Sequence, residues 1–181
     1  LNPLLTCNQG DEEYERNGNK IALTKLHLDM TITPQAASGL THTVVRFIAI
    51  YVRDNNLQPL SLSINEVYQE DNVGGVTADY VSQPYSKRNR SAFQVLYDSG
   101  PMILSQTNEA VGGVLNSYGP HSQYIRRVVN KKLNNLPVHF ANNTATWSQT
   151  VKGAVKFFAF SDDGGASAPR IDVHYGLEWT D

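Results

Sequence analysis

Residues 20–33, KIALTKLHLDMTIT, alternate between apolar and polar side chains almost without a break. A period of two suits a strand with one buried face, whereas a helix would return its apolar residues every third or fourth position. The pattern predicts a strand with Ala22, Thr24, Leu26, Leu28, Met30 and Ile32 on one side. Ile21, Leu23, Lys25, His27, Asp29 and Thr31 fall on the other. The first face can be buried. The second carries a Lys and a His two positions apart and needs something to look at.

The same signal recurs along the chain. Runs rich in β-branched and aromatic residues cover 41–54, 91–98, 101–106, 121–133, 136–142, 153–162 and 168–179, giving eight expected strands with the first. Between them lie TPQAASGL, DNVGG, EAVGG, NSYGP and DDGGASAP, whose residues supply the backbone angles and local hydrogen bonds of turns. One short helix is expected in LSLSINEVYQED, where Ser63 and Glu66 form a capping box and Ile64, Val67 and Tyr68 share a face. Eight strands with long connections and one short helix predict an all-β, antiparallel sandwich. Its immunoglobulin-like form is disfavoured, since the Cys…Trp…Cys pattern is missing. A chain of 181 residues without linker or repeat reads as a single domain over 1–181.

Little in the chain points to catalysis. There is no G-x-S-x-G and no phosphate-binding G-x-x-x-x-G-K-[ST]. The five histidines form no H-x-H or H-E-x-x-H pair, so no local metal site is read and no cofactor is expected. The single cysteine, Cys7, sits beside acidic residues that disfavour its thiolate. DDGG at 162–165 offers oxygen ligands for calcium, but reads first as a tight polar turn. Asn89-Arg90-Ser91 and Asn142-Asn143-Thr144 match the glycosylation triplet, which matters only in a secreted chain. No run reaches the roughly 18 apolar residues of a membrane helix, and residues 1–16 do not read as a signal peptide. An enzyme is therefore not expected.

Charge is the sharper clue. The net charge is −2, yet it is unevenly spread. Residues 1–16 hold Asp11, Glu12, Glu13 and Glu15 against Arg16. Residues 87–132 hold Lys87, Arg88, Arg90, Arg126, Arg127, Lys131 and Lys132 against Asp98 and Glu109. A basic block inside a mildly acidic chain suits an anionic partner. In YIRRVVNKKL, alternation puts Arg126, Val128, Asn130 and Lys132 on one face and Arg127, Val129, Lys131 and Leu133 on the other. Neither face is apolar, which suits a sheet edge or an interface.

Five segments in order resemble one group of proteins. NQGDEEYERNGNKIALTKLHLDMTIT resembles the first-strand region of coat proteins from satellite necrosis viruses and of capsid proteins from small circular single-stranded DNA viruses. The shared pattern is a QGD-like lead at Gln9–Asp11, Arg-x-Gly-x-x at Arg16–Lys20, and Lys-Leu-His at Lys25–His27. VRFIAIYVRDNN (45–56), RSAFQVLYD (90–98), GAVKFFAFSDD (153–163) and RIDVHYGLEWTD (170–181) resemble their later strands. The resemblance implies an eight-stranded jelly roll that self-assembles into a T=1 icosahedral shell, a homo-oligomer of about 60 copies, around a single-stranded DNA or RNA genome in a virion assembled inside the host cell. It also implies a strongly basic N-terminal arm, which the acidic residues 1–16 do not supply.

On this reading one sheet, holding the first and last strands, faces the genome. Lys25, His27, Arg170 and His174 would lie on its polar side, joined by Lys87, Arg88, Arg90, Arg126, Arg127, Lys131 and Lys132. These are the expected nucleic-acid contacts, acting as sequence-blind phosphate partners. The alternative is a lectin-like carbohydrate-binding sandwich, with Trp147 or Trp179 stacking on sugar rings and DDGG holding calcium.

Overall fold

A computed structural model describes residues 17–34, 42–53, 67–68, 84–86, 90–105, 109–111, 114–116, 124–141, 150–162 and 169–181. Among these the protein is nearly all β. The strands are β1 (Lys20–Thr33), β2 (His42–Val52), β3 (Phe93–Asp98), β4 (Met102–Ser105), β5 (Glu109–Val111), β6 (Val114–Asn116), β7 (Ile125–Phe140), β8 (Thr150–Lys152), β9 (Ala154–Ser161) and β10 (Arg170–Thr180). All pairings are antiparallel. β10, β1, β7 and β8 form one four-stranded sheet in that order. β2 is the centre of a second, with β9 along one edge and β3 followed by β4 along the other. β5 and β6 make a short hairpin.

Among the described residues the eight expected strands are ten. The expected strands 121–133 and 136–142 are one, β7, and β5, β6 and β8 are additional. β7 stays continuous because its two extra residues, Asn134 and Asn135, adopt left-handed backbone angles of 51° and 57°. Asn tolerates that region better than most residues. β1 Leu23 pairs with Leu136, but Lys25 pairs with Lys132, so the two asparagines are looped out of the ladder. Of the expected helix, only Val67 and Tyr68 lie within the described residues. Both are buried, and Tyr68 bridges Tyr85.

The two sheets share one core. Ile21, Leu23, Leu26, Leu28 and Met30 of β1 pack with Phe47, Ala49 and Tyr51 of β2, Leu96 of β3, and Leu133, Val138 and Phe140 of β7. The Tyr51 hydroxyl crosses between the sheets to donate to the Pro137 carbonyl. β2 is buried on both faces: Ile48, Ile50 and Val52 pack with Val67, Tyr68 and Phe93 on the side away from β1. That is why VRFIAIYV is a continuous apolar run instead of an alternating one.

The alternation in β1 differs from the expected one. Ile21 and Leu23 are buried together with Leu26, Leu28, Met30 and Ile32, while Ala22 and Thr24 are not. A bulge at Thr24 is the reason. Leu23 pairs with Trp179 and Lys25 with Glu178, so two steps on β1 match one on β10. One extra residue moves everything beyond it to the opposite face.

Candidate functional site

The polar face of β1 is flanked by β10 and β7, and directly paired residues share a face. The register puts Glu178, Gly176, His174, Asp172 and Arg170 of β10 beside Lys25, His27, Asp29, Thr31 and Thr33. On the other flank it puts Lys132, Asn130, Val128 and Arg126. The structure thus brings Lys25, His27, Arg126, Lys132, Arg170 and His174 onto one face. Arg127 pairs with Met30 and Lys131 with Leu26, so these two belong to the opposite face, exposed towards the margin of the sheet.

Most of the cations on this face are bound to carboxylates. Glu178 Oε1 accepts from Lys25 Nζ at 3.0 Å and from His27 Nε2 at 2.6 Å. The His27 ring reaches across Gly176, where no side chain stands in its way. Its other nitrogen, Nδ1, faces Asn130 Oδ1 at 2.5 Å. Two acceptors flank the ring, and only the imidazolium donates from both nitrogens. The bond to Glu178 and then that to Asn130 accordingly raise the His27 pKa above its ordinary 6.5. The same contacts, with Lys25, hold Glu178 below its usual range.

Arg126 grips Asp29 with two parallel bonds, Nε–Oδ1 at 3.0 Å and Nη2–Oδ2 at 2.6 Å. Its hydrogen bond holds the Asp29 carboxyl below the usual carboxylate range. Arg170 Nε lies 2.9 Å from Asp172 Oδ2 on the same strand. Four permanent cations (Lys25, Arg126, Lys132, Arg170) therefore face three carboxylates (Asp29, Asp172, Glu178), leaving +1, or +2 with His27 charged. The sequence points to a more basic surface, because spacing along one strand does not show which acids the neighbouring strands bring. Lys132, Lys131 and Arg127 form no salt bridge among the described residues.

Arg90 stands elsewhere, at the lead into β3 in the second sheet. Lys87 and Arg88 lie outside the described residues. So do Trp147 and most of the DDGG turn. Its first residue, Asp162, accepts from the Val44 amide at 2.8 Å, fastening β9 to β2. Trp179 packs against the core. No group of three metal-ligating side chains occurs among the described residues.

A cluster in the second sheet escapes the sequence reading. Arg46, in the middle of β2, is buried and paired bidentately with Asp98, Nε–Oδ1 3.0 Å and Nη2–Oδ2 2.7 Å. Its guanidinium lies 5.3 and 5.4 Å from the ring centres of Tyr68 and Tyr85. Asp98 also accepts from Tyr85 Oη at 2.5 Å and Gly100 N at 2.8 Å. Burial works to raise the Asp98 pKa, but Arg46, Tyr85 and Gly100 outweigh it and leave it lowered. A lone Arg within an apolar run is the signal that marks such a cluster. Its construction, a fully paired ion pair under stacked rings, is that of a structural tie for the 67–68 and 84–86 segments.

These features define an antiparallel, nearly all-β protein with a weakly cationic sheet face. No protein-family model matches the chain, and no curated protein matches it significantly.

Proposed function

We propose that the protein is a viral capsid subunit, a jelly-roll sandwich that self-assembles into a T=1 icosahedral shell and encloses a nucleic acid genome. The observation that carries the reading is nested pairing: the first strand with the last, β1 with β10, and the second with the second-to-last, β2 with β9. A jelly roll is a long hairpin rolled into two sheets, which produces nesting of this kind. The inner pairs of such a hairpin are not seen among the described residues, where β7 lies against β1. The five segments resembling small viral coat proteins include the four strands that make the nest, β1, β2, β9 and β10, together with β3.

Two edges suit assembly. Among the described residues, β10 has no partner on its outer side, and β7 is joined by β8 only at His139 and Phe140. Unpaired edges are surfaces that proteins cover with another chain or protect with charge. Sedimentation of the purified protein tests the proposal. A closed shell of about 60 subunits sediments as a particle of roughly 1.2 MDa, and a species near the subunit mass of 20.1 kDa at every salt concentration refutes it.

Genome contact falls to the cation without a carboxylate. Replacing Lys132, the one permanent cation of the β10–β1–β7 polar face without a salt bridge among the described residues, by Gln is expected to lower the 260/280 nm absorbance ratio of particles that still form. The Arg126 variant is expected to lower it less, because that charge already serves Asp29. Equal ratios in all variants and the parent count against the genome face.

A further inference from the structure

The second sheet holds a cleft of about 410 Å³ at the C-terminal end of β2, lined by Arg53, Tyr85, Arg90, Phe93, Gln94 and Val95. Its volume lies near the lower end of small-molecule sites, roughly 300–1,000 Å³. Arg53 and Arg90 are exposed, while Phe93 is buried and Tyr85 and Val95 are half-buried. Neither arginine forms a salt bridge with a described residue, in contrast to Arg46, Arg126 and Arg170. No carboxylate lines the cleft among the described residues.

The walls are held in place. Arg53 donates its backbone amide to the Ala92 carbonyl at 2.8 Å, and its Nη2 lies 3.3 Å from Gln94 Oε1. That contact leaves the rest of the guanidinium fork free to turn to a ligand. Tyr85 is anchored through its hydroxyl to Asp98 and stacks on Tyr68, with ring centres 5.5 Å apart. The site therefore combines two cationic forks with a fixed apolar floor.

We propose that this cleft binds a phosphate monoester carrying a planar ring, with the phosphate engaged by Arg53 and Arg90 and the ring against Tyr85 and Val95. A phosphate monoester has three terminal oxygens, enough for two forks, whereas a carboxylate has two. The apolar floor favours an organic ester over the bare ion. The proposal does not depend on the capsid reading: the cleft belongs to the second sheet, and the cations of the β10–β1–β7 face take no part in it.

Equilibrium dialysis against labelled adenosine 5′-monophosphate tests it, and works equally for a free subunit and an assembled particle. Saturable binding is expected, weakened at least tenfold in Arg53→Gln and in Arg90→Gln, with Lys152→Gln, at an exposed cation of β8, unchanged. Arg53→Lys and Arg90→Lys keep the charge but lose the fork, and are expected to weaken binding by a smaller factor. Unchanged thermal midpoints would show that these exposed positions leave the fold intact. Adenosine binding as tightly as the nucleotide overturns the role of the phosphate, and inorganic phosphate binding as tightly overturns that of the ring. No saturable binding, or equal losses in Lys152→Gln and the cleft variants, overturns the site itself.

Discussion

His27 is the residue whose environment is least legible from its neighbours in sequence. Its two acceptors come from different strands, Glu178 of β10 and Asn130 of β7. A raised native pKa means that its stabilising contribution is complete below the unfolded value near 6.5 and is lost as pH rises through the native value. Glu178 has the opposite sign: its contribution is complete above the ordinary 4.5 and is lost as pH falls through its lowered native value. The pair is therefore strongest in the acidic interval between. An NMR titration of the His27 ring should give a pKa above 6.5, moving back towards that value in Glu178→Gln; an unmoved pKa would remove Glu178 as the cause. Arg46 tests the buried counterpart. Arg46→Ala leaves Asp98 partly buried without its main partner and should destabilise the fold by about 3–5 kcal/mol in denaturant unfolding.

At the scale of elements, bulges and turns decide which face each side chain takes. Gly153 separates β8 from β9 at φ +72°, and a Cβ there would overlap the Pro137 carbonyl and crowd the Tyr51 hydroxyl. Gly153→Ala should cost roughly 1–2 kcal/mol from backbone conformation alone and more from the overlap, read as a lowered thermal midpoint. Leu28 is fully buried on β1, and Leu28→Ala should cost about 2–5 kcal/mol. Thr24→Ala should cost much less, since the bulge sets its side chain outside the core. The β1 strand was legible to its exact ends, 20 and 33, because alternation is local. The parity switch left a trace too, since apolar residues at 21 and 23 precede apolar residues at 26, 28, 30 and 32. Two odd positions followed by four even ones require an extra residue between 23 and 26.

For the whole molecule, the balance of charge on the β10–β1–β7 face sets the strength and salt dependence of any nucleic acid binding. If only Lys132 neutralises a phosphate, log K should fall with log salt at a slope of about −0.7 per subunit on single strands. If Lys25, Arg126 and Arg170 also release their carboxylates, the slope steepens to about −3. A salt titration of fluorescent oligonucleotide binding separates the two. A slope near zero would rule out the face as a phosphate-binding surface.

By itself the sequence determined the antiparallel β character, most strand positions and the split of Arg126 and Lys132 from Arg127 and Lys131. Each follows from period-two alternation and turn chemistry over a few neighbouring residues. Only the tertiary structure decided what those side chains meet. Lys25 and Glu178 are 153 residues apart and touch because β1 and β10 pair in one register. Arg53 and Arg90 share a cleft because β2 and β3 pair in another. Register depends on how distant strands bury their apolar faces together, a property of the assembled core that no short stretch of chain contains.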